Sequence, residues 1–298
     1  MNRLDAMTAF VRVAELQSFT AAAASLGLPK SSASQAVSQL EAYLRIQLLY
    51  RTTRRVQLTH DGQAYYERCR EVLAELDELD TMFAQTSDLT GALRVDMPVS
   101  LARNFLVPRL PEFLSRHPGL EIELSCTDRR VDVVAEGFDC VIRVGVLSDS
   151  ALMARPLGLL RMGNYASPDY LARHGEPKTI DDLARHHLIH YALTLGARPF
   201  GFEYRDGDGY KVVDMPGRIT VNNTEAFSSA ALAGLGILQS PRTGHRRHVA
   251  EGALVEILPQ YEAEPLPVAL VYPRRRHQAR RVRAFMDWVA GIMRDYLD

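Results

Sequence analysis

Small polar side chains line one face of a helical pattern near the N-terminus. Val37, Leu40 and Leu44 recur at three- and four-residue spacing, which predicts a helix with one apolar face. The residues predicted to meet DNA lie on its other face and at its start: Ser31, Ser32, Ser34, Gln35, Ser38 and Gln39. Glutamine pairs bidentately with adenine, and serine hydroxyls reach base edges and phosphates. The face therefore suits a DNA major groove, although a solvated helix face in any small bundle has the same composition.

A shorter helical pattern precedes this helix and is separated from it by a tight turn. Thr20 is expected to cap a run of helix formers that ends at Gly27, where glycine takes a left-handed backbone at no steric cost. Pro29 blocks a simple continuation, and Ser31 or Ser32 is expected to cap the second helix. Helix, turn and helix with a polar outer face form a helix-turn-helix pattern, whose second helix enters the major groove.

The segment 50–59 (YRTTRRVQLT) predicts a short β-hairpin after the second helix. Its basic and hydroxyl side chains suit DNA phosphates: Arg51, Thr52, Thr53, Arg54 and Arg55. A helix at Leu4–Leu16, with its apolar residues on one face, is predicted to support the other two helices. Together these elements predict a winged helix-turn-helix head over residues 1–59.

Charge is divided unevenly along the chain. Residues 1–59 carry seven basic and three acidic side chains, a net charge of +4, whereas the whole 298-residue chain has −1 and the remainder therefore −5. A basic module on an acidic body fits a DNA-binding head attached to a body with another task. The sequence has no apolar run of about 18 residues and no signal-peptide core at its start, so we expect a cytoplasmic protein with no membrane partner.

An uninterrupted helical pattern follows over residues 60–89 and predicts a long linker helix. Its apolar residues form a stripe: Ala64, Tyr65, Val72, Leu73, Leu76, Leu79 and Phe83. A helix that leaves a small domain cannot bury such a stripe alone, so we expect it to pair with a second subunit in a homodimer or homotetramer. Packing on its own body is the alternative. Two heads related by a two-fold axis predict a partly palindromic operator in double-stranded DNA.

Beyond residue 90 the pattern changes to short apolar strands that alternate with helices, which predicts βαβ units and a parallel sheet. The first predicted lobe comprises residues 90–161 and 267–298, and the second comprises residues 162–266. The predicted fold class is therefore α/β with an all-α N-terminal head: a winged helix-turn-helix, a long linker helix and a two-lobed α/β clamshell over residues 90–298.

Polar side chains follow several predicted strands at their carboxyl ends. In an open α/β sheet, ligands bind beyond these ends, where helix N-termini offer N–H groups that hold carboxylates. The candidate residues are Ser100, Thr127, Asp128, Asn222, Asn223 and Thr224. Arg143, at another strand end, suits an anion, and a partner such as Asp128 fits the pattern equally well. We expect a small-molecule effector here, with anions among the candidates, although each residue alone also fits a simple helix cap.

The sequence resembles LysR-type transcriptional regulators. The head carries the resemblance in FVRVAELQSFTAAAASLGLPKSSASQAVSQLEAYL followed by LLYRTTRRVQLTHDG. The body carries it in ASPDYL, VNNTEAFSSAALAGLGILQSP and VYPRRR…RVRAFMDWV, so that it spans essentially the whole chain. The resemblance implies a winged helix-turn-helix, a dimer-forming linker helix and a periplasmic-binding-protein-like effector domain. It implies a sequence-specific DNA-binding transcriptional regulator controlled by a small molecule.

The resemblance also implies effector contacts at Ser100 and Thr127 and on the segment Arg198, Pro199 and Phe200. One departure from the family pattern is Arg45, where the family usually has a glycine that closes the recognition helix. A non-glycine residue at that position must adopt a costly left-handed conformation or move the helix end.

No nucleophile–base pair, metal set or phosphate-binding loop is visible in the sequence, so we expect no catalysis, no metal and no cofactor. Cys126 and Cys140 are expected on neighbouring parallel strands about a strand length apart, too far for a disulfide, and small buried residues are the expected role. An enzyme or ligand-binding protein that uses the head to dimerise is one rival function. An architectural DNA-binding protein without an effector is another, and the acidic body argues against it because it adds no phosphate contacts.

Overall fold

A computed structural model of the chain describes residues 2–51, 56–82, 89–146, 152–197, 200–274 and 278–297. The chain divides into two compact units. The first is Met1–Asp88 with Asp132–Gly137 and Arg275–Arg283, and the second is Leu89–Val131, Phe138–Arg274 and Ala284–Asp298. No helix within the described residues is both long enough and apolar enough to span a bilayer.

The N-terminal part of the first unit consists of helices and one antiparallel hairpin. Its elements are α1 (Arg3–Leu16), α2 (Phe19–Ser25), α3 (Lys30–Leu44), β1 (Leu49–Arg51), β2 (Val56–Leu58) and α4 (His60–Met82). This order of elements matches the sequence prediction. The linker helix is also predicted to continue beyond Met82, but residues 83–88 lie outside the described part of the chain.

The helix caps differ from the prediction at two places. The Ser18 hydroxyl accepts a hydrogen bond from the Ala21 N–H at 3.2 Å, so α2 is capped two residues before Thr20. Pro29, in an extended conformation, precedes the first residue of α3, and no side chain caps that helix. The prediction of Ser31 or Ser32 as the cap is therefore wrong. The fixed φ of proline, close to −65°, already suits a residue at the entrance to a helix.

A single apolar cluster holds the head together. Phe10 on α1, Val37 on α3 and Leu48 beside the hairpin are fully buried in it. Cys69 on α4 is buried in the same cluster, against which Tyr65, Val72 and Leu73 also pack. The first half of the predicted α4 stripe is thus used within the head itself.

The second unit alternates strands and helices. Its elements are β3 (Thr90–Met97), α5 (Val99–Leu101), α6 (Leu110–Arg116), β4 (Gly119–Cys126), β5 (Cys140–Val144), β6 (Leu152–Leu160), β7 (Met162–Ala166), α7 (Pro168–His174), β8 (His190–Tyr191), β9 (Phe202–Asp206), β10 (Gly209–Val213), β11 (Thr220–Val221), α8 (Thr224–Leu232), β12 (Leu238–Pro241), α9 (Arg246–Ala250), β13 (Val255–Glu256), β14 (Leu266–Pro273) and α10 (Arg280–Leu297).

A mixed sheet forms the first lobe, and its described strands run in the order β4, β3, β5, β14, β6. β3 is parallel to β4 and β5, whereas β14 is antiparallel to β5 and β6. The parallel part of the sheet is as predicted, and β14 returns to this lobe after the second one. Phe113 on α6 stacks on Trp288 of α10, with 4.7 Å between ring centroids, which fixes both helices on this lobe.

The second lobe is built from smaller sheets. β7 lies between β12 and β13 and is antiparallel to both, β8 is parallel to β11, and β9 and β10 form an antiparallel hairpin. Tyr170, Phe202 and Ile237 are fully buried in one apolar cluster, and Ala231 and Leu238 in another. Burial of these side chains fixes α8 against the sheet and so positions the N-terminus of α8, where polar residues gather.

Contrary to the sequence prediction, Cys126 and Cys140 do not lie on neighbouring strands. β3 lies between β4, which ends at Cys126, and β5, which begins at Cys140, so the two strands are not neighbours. Two strand spacings amount to about 9.5 Å, beyond the reach of a disulfide. Cys140 is buried and burial raises the pKa of its thiol, whereas Cys126 is exposed, which corrects the prediction that both are buried.

Candidate functional site

α3 presents the predicted polar face to solvent. Ala33, Ala36, Val37 and Leu40 are buried on its other face. The predicted DNA-contacting residues of α3 divide into two groups: Ser31, Gln35, Ser38 and Gln39 are exposed, and Ser32 and Ser34 are half-buried. Hydroxyl and amide groups on an exposed helix face provide hydrogen bonds to base edges and phosphates.

Arg45 closes α3 in a left-handed conformation, with φ 57° and ψ 30°. The helix therefore ends where the family pattern places a glycine, and the arginine backbone adopts the conformation that costs a side-chain-bearing residue about 1–2 kcal/mol. The next residue, Ile46, donates its N–H to the Glu41 carbonyl at 3.3 Å, which satisfies one of the carbonyls at the helix end.

The carboxylate of Glu41 connects α3 to the hairpin. Its Oε1 accepts hydrogen bonds from the N–H groups of Leu48 at 2.9 Å and Leu49 at 3.1 Å. The sequence analysis did not predict this role of Glu41. The signal for it is an acidic residue at the end of a predicted helix, shortly before two leucines. Glu41 thereby fixes the start of the wing against the recognition helix. Of the predicted wing contacts, Arg51 ends β1, and Thr52, Thr53, Arg54 and Arg55 lie outside the described residues.

In the second unit, the predicted polar residues meet at the carboxyl ends of β3 and β4. Met97 is opposite Cys126 in the parallel register, so the residues after each strand lie side by side. The Asp128 carboxylate accepts the Val99 N–H at 3.1 Å through Oδ1 and the Thr224 N–H at 2.5 Å through Oδ2. Asp128 thus hydrogen-bonds to the first residues of α5 in one lobe and of α8 in the other.

A cavity of about 380 Å³ lies between the two lobes beside Asp128. Three of the predicted effector-binding residues line it: Ser100, Asp128 and Thr224. Much of the remaining wall is apolar and includes Leu101, Val144, Leu160, Met162, Phe227 and Leu266. Its volume and its mostly apolar lining are those of a small-molecule site.

Asn222, Asn223 and Phe200 are further predicted effector-binding residues that do not line this cavity. Asn223 caps α8 by accepting the Ala226 N–H at 2.8 Å, and Asn222 is exposed; neither lines the cavity. Phe200 is exposed and lines a neighbouring cavity of about 590 Å³. Arg198 and Pro199 lie outside the described residues.

Thr127 and Arg143 are held by a carboxylate that the sequence analysis did not single out. Asp96 on β3 is completely buried, and its two oxygens accept from Thr127 Oγ1 at 3.0 Å and Arg143 NH1 at 2.8 Å. The partner of Arg143 is therefore Asp96 and not Asp128. An aspartate within an apolar strand was the available signal, because a buried charge requires a partner. Neither Thr127 nor Arg143 lines the cavity.

His245 is a cavity residue that sequence reasoning missed. Its side chain is 2% exposed, and its Nδ1 has no hydrogen-bond partner among the described residues. Burial, followed by the charges of His248 and Arg103, lowers its pKa to about 4, so the imidazole is neutral at pH 7. Thr224 Oγ1 is a second buried atom on the cavity wall with no partner in the described part of the chain. No group of three or more His, Cys, Asp or Glu side chains is placed to hold a metal ion within the described ranges.

Comparison with known families matches both parts of the chain. Residues 4–63 match the family of bacterial regulatory helix-turn-helix proteins of the lysR type, and residues 86–294 match the LysR substrate binding domain. The chain belongs to the LysR family of transcriptional regulators. It is a DNA-binding transcriptional regulator with an effector-binding domain and not an enzyme, because the matched family and its named relatives are regulators.

Full-length relatives and solved structures agree with this assignment. The chain is 50% identical over 299 residues to the uncharacterized HTH-type transcriptional regulator YhjC of Escherichia coli K12, with 100% of both chains covered. It is 40% identical to an HTH-type transcriptional repressor of Pseudomonas aeruginosa strain UCBPP-PA14, over 98% of this chain and 92% of the relative. The solved structure of the LysR-type regulator CrgA from Neisseria meningitidis has 30% identity and a TM-score of 0.62, over 97% of this chain and 98% of that one.

Proposed function

We propose that this LysR-type regulator reads a partly palindromic operator with α3 and the β1–β2 hairpin of two subunits, and that an effector in the cavity beside Asp128 controls it. In this proposal residues 1–59 form the DNA-binding domain, 60–89 the linker and 90–298 the effector-binding domain. Because its partner is genomic DNA, the protein acts in the cytoplasm.

The observation that carries the DNA-binding proposal is the exposed polar face of α3. Gln35 and Gln39 project from a helix whose opposite side is buried, and Glu41 fixes the hairpin beside that helix. Glutamine is suited to adenine, and serine reaches either bases or phosphates. Arg51 and the residues that follow it add positive charge for the phosphate backbone.

The proposed subunit contact is the second half of α4. Tyr65, Val72 and Leu73 pack on the head, whereas Leu76 continues the apolar stripe while remaining half-buried. Pairing this half with the same helix of a second subunit removes the stripe from water. The resulting two-fold axis places two recognition helices on half-sites about one helical turn of DNA, or a multiple of it, apart.

Effector control follows from the position of the cavity between two lobes. A ligand that binds one conformation of the two lobes, open or closed, more tightly than the other shifts the population toward that conformation. The shift is no larger than the ligand's difference in affinity for the two conformations. We propose that this shift changes how subunits pack and thereby the spacing of the DNA-binding heads.

A mobility-shift titration of the purified protein tests this function. The DNA comes from the region upstream of its own gene, with a scrambled sequence of equal length and composition as the control, at several salt concentrations. Selective binding with a two-half-site footprint is the expected result. Equal affinity for both DNAs with a steep salt dependence would mean phosphate contacts alone and would favour the architectural rival.

A further inference from the structure

The cavity between the lobes contains charged groups, and each of them is paired or neutral. The acidic and basic side chains among its described lining residues are Arg103, Asp128 and His245. Arg103 NH1 pairs with Glu225 Oε2. Asp128 accepts two backbone N–H groups, and the buried His245 has a pKa of about 4 and is neutral at pH 7.

The position that suits an anion is already filled by the chain itself. An anionic ligand binds at a helix N-terminus because free N–H groups point outward there and the helix dipole is positive. At the start of the nine-residue α8, the Thr224 N–H donates to Asp128 Oδ2 at 2.5 Å. The other oxygen of the same carboxylate takes the Val99 N–H. Asp128 therefore acts as an internal anion at this place.

Arg143 does not provide an alternative anion site in the cavity. Its NH1 is paired with Asp96, and although its NH2 has no partner among the described residues, the side chain does not line the cavity. The unsatisfied polar atoms on the cavity side are uncharged ones. His245 Nδ1 and Thr224 Oγ1 both lack hydrogen-bond partners within the described residues. A buried polar atom without a partner costs free energy, so a ligand that hydrogen-bonds to these atoms gains affinity.

We propose that the effector is an uncharged molecule, mostly apolar, with polar groups for His245 and Thr224, and that Asp128 excludes carboxylates from the site. This inference rests on the proposed function, because it describes the ligand of the same cavity. It replaces the sequence expectation of an anion, which assumed that the helix N–H groups are free. Discrimination comes from repulsion as well as attraction, since a second carboxylate beside Asp128 meets a like charge, and the Val99 and Thr224 N–H groups already donate to Asp128.

Chemical rescue of Asp128→Ala tests the internal-anion assignment. Removing the carboxylate leaves the Val99 and Thr224 N–H groups open to a small anion, so sodium acetate should raise the melting temperature of D128A by about 2–4 °C at saturation. Sodium chloride at equal ionic strength should not raise it, and acetate should not raise that of the wild type. An equal rise in the wild type, or no rise in D128A, would overturn the assignment.

Matched ligands test the exclusion of carboxylates, and Asp128→Asn keeps the shape if D128A does not fold. Benzamide and benzoate have the same size and differ in charge. The wild type should bind benzamide at least about tenfold more tightly than benzoate by calorimetry, and D128N should reduce this ratio. Tighter binding of benzoate by the wild type, or an unchanged ratio in D128N, would overturn the proposal. These measurements use no DNA, so their failure is distinguishable from a failure of operator binding.

Discussion

Arg143 and Asp96 form a buried ion pair, with 2.8 Å between the guanidinium NH1 and Oδ2 of the carboxylate. Asp96 is completely inaccessible and the Arg143 side chain is 14% exposed, and the Thr127 hydroxyl donates to the other carboxylate oxygen. This network ties the ends of β3, β4 and β5 together behind the cavity. Thr127 and Arg143, which the sequence suggested as ligand contacts, therefore stabilise the ends of the strands that Ser100 and Asp128 follow.

Replacing Arg143 with alanine should destabilise the second unit by about 3–5 kcal/mol, because it leaves the Asp96 charge buried without its partner. Urea unfolding measures the loss, with the fluorescence of Trp288 as the reporter, since the chain's single tryptophan packs on this lobe. Arg116→Ala is the control: it removes an arginine from an ion pair with Glu112 in which both side chains are more than half exposed, and should cost less than about 1 kcal/mol. Equal losses in both variants would contradict the structural role of Asp96.

Two glycines inside helices predict opposite effects of the same substitution. A Cβ on Gly62 would lie 1.9 Å from the Leu48 carbonyl oxygen, so Gly62→Ala should destabilise the head by roughly 1–3 kcal/mol or more. At Gly291 on α10 nothing lies within 4 Å of the added atom, and alanine should stabilise by about 0.5–1 kcal/mol through helix propensity. Thermal unfolding followed by circular dichroism compares the two. A stabilised G62A would mean that α4 does not approach the hairpin so closely.

The left-handed Arg45 predicts that glycine is the better residue there. Arg45→Gly should be more stable than Arg45→Ala by about 1 kcal/mol, because both remove the guanidinium and only glycine removes the steric cost of the conformation. Chemical unfolding of the head, measured by circular dichroism, gives the difference. If R45A were as stable as R45G, the backbone at this position would not be left-handed in solution.

Local patterns were sufficient to predict most of the fold, and contacts distant in sequence were not. The helix-turn-helix and the parallel strands follow from apolar spacing within short windows. The choice of Ser18 over Thr20 as a cap did not follow, because both hydroxyls suit the same role and only the backbone decides between them. Asp128 was predicted as a ligand contact, yet its partner Thr224 is 96 residues away and is brought to it only by the packing of the lobes.

Gln35 provides the sharpest test of the recognition helix. Gln35→Ala should weaken specific operator binding by roughly 1–3 kcal/mol, the value of a lost bidentate base contact, and should leave binding to scrambled DNA nearly unchanged. The matched control is Gln63→Ala, which makes the same change on α4, where the amide is already bonded to Glu67 at 2.9 Å. Operator affinity that falls equally in both variants, or in neither, would remove α3 from the DNA interface.

His245 predicts a defined dependence of stability on pH. Its pKa in the folded protein is about 4, below its ordinary value of 6.5, so the unfolded chain binds the proton more readily between these pH values. The stabilisation from a neutral buried ring is therefore complete above about pH 6.5 and is lost as the pH falls toward 4, by up to about 3 kcal/mol. His245→Phe, which has no proton to gain, should lose less stability than the wild type between pH 7 and pH 4.5 in urea unfolding followed through Trp288.

The control for His245 is His174→Phe, a substitution at an exposed histidine that stacks on Tyr170 with 4.5 Å between ring centroids. His174 lies at the surface and does not line the cavity, so H174F should keep most of the difference in stability between pH 7 and pH 4.5 that the wild type shows. The comparison separates burial from the mere loss of a histidine, because each variant replaces one histidine with phenylalanine. Parallel curves for H245F and the wild type would mean that the imidazole is solvated in solution, and that His245 is not the neutral cavity residue on which the uncharged-effector proposal draws.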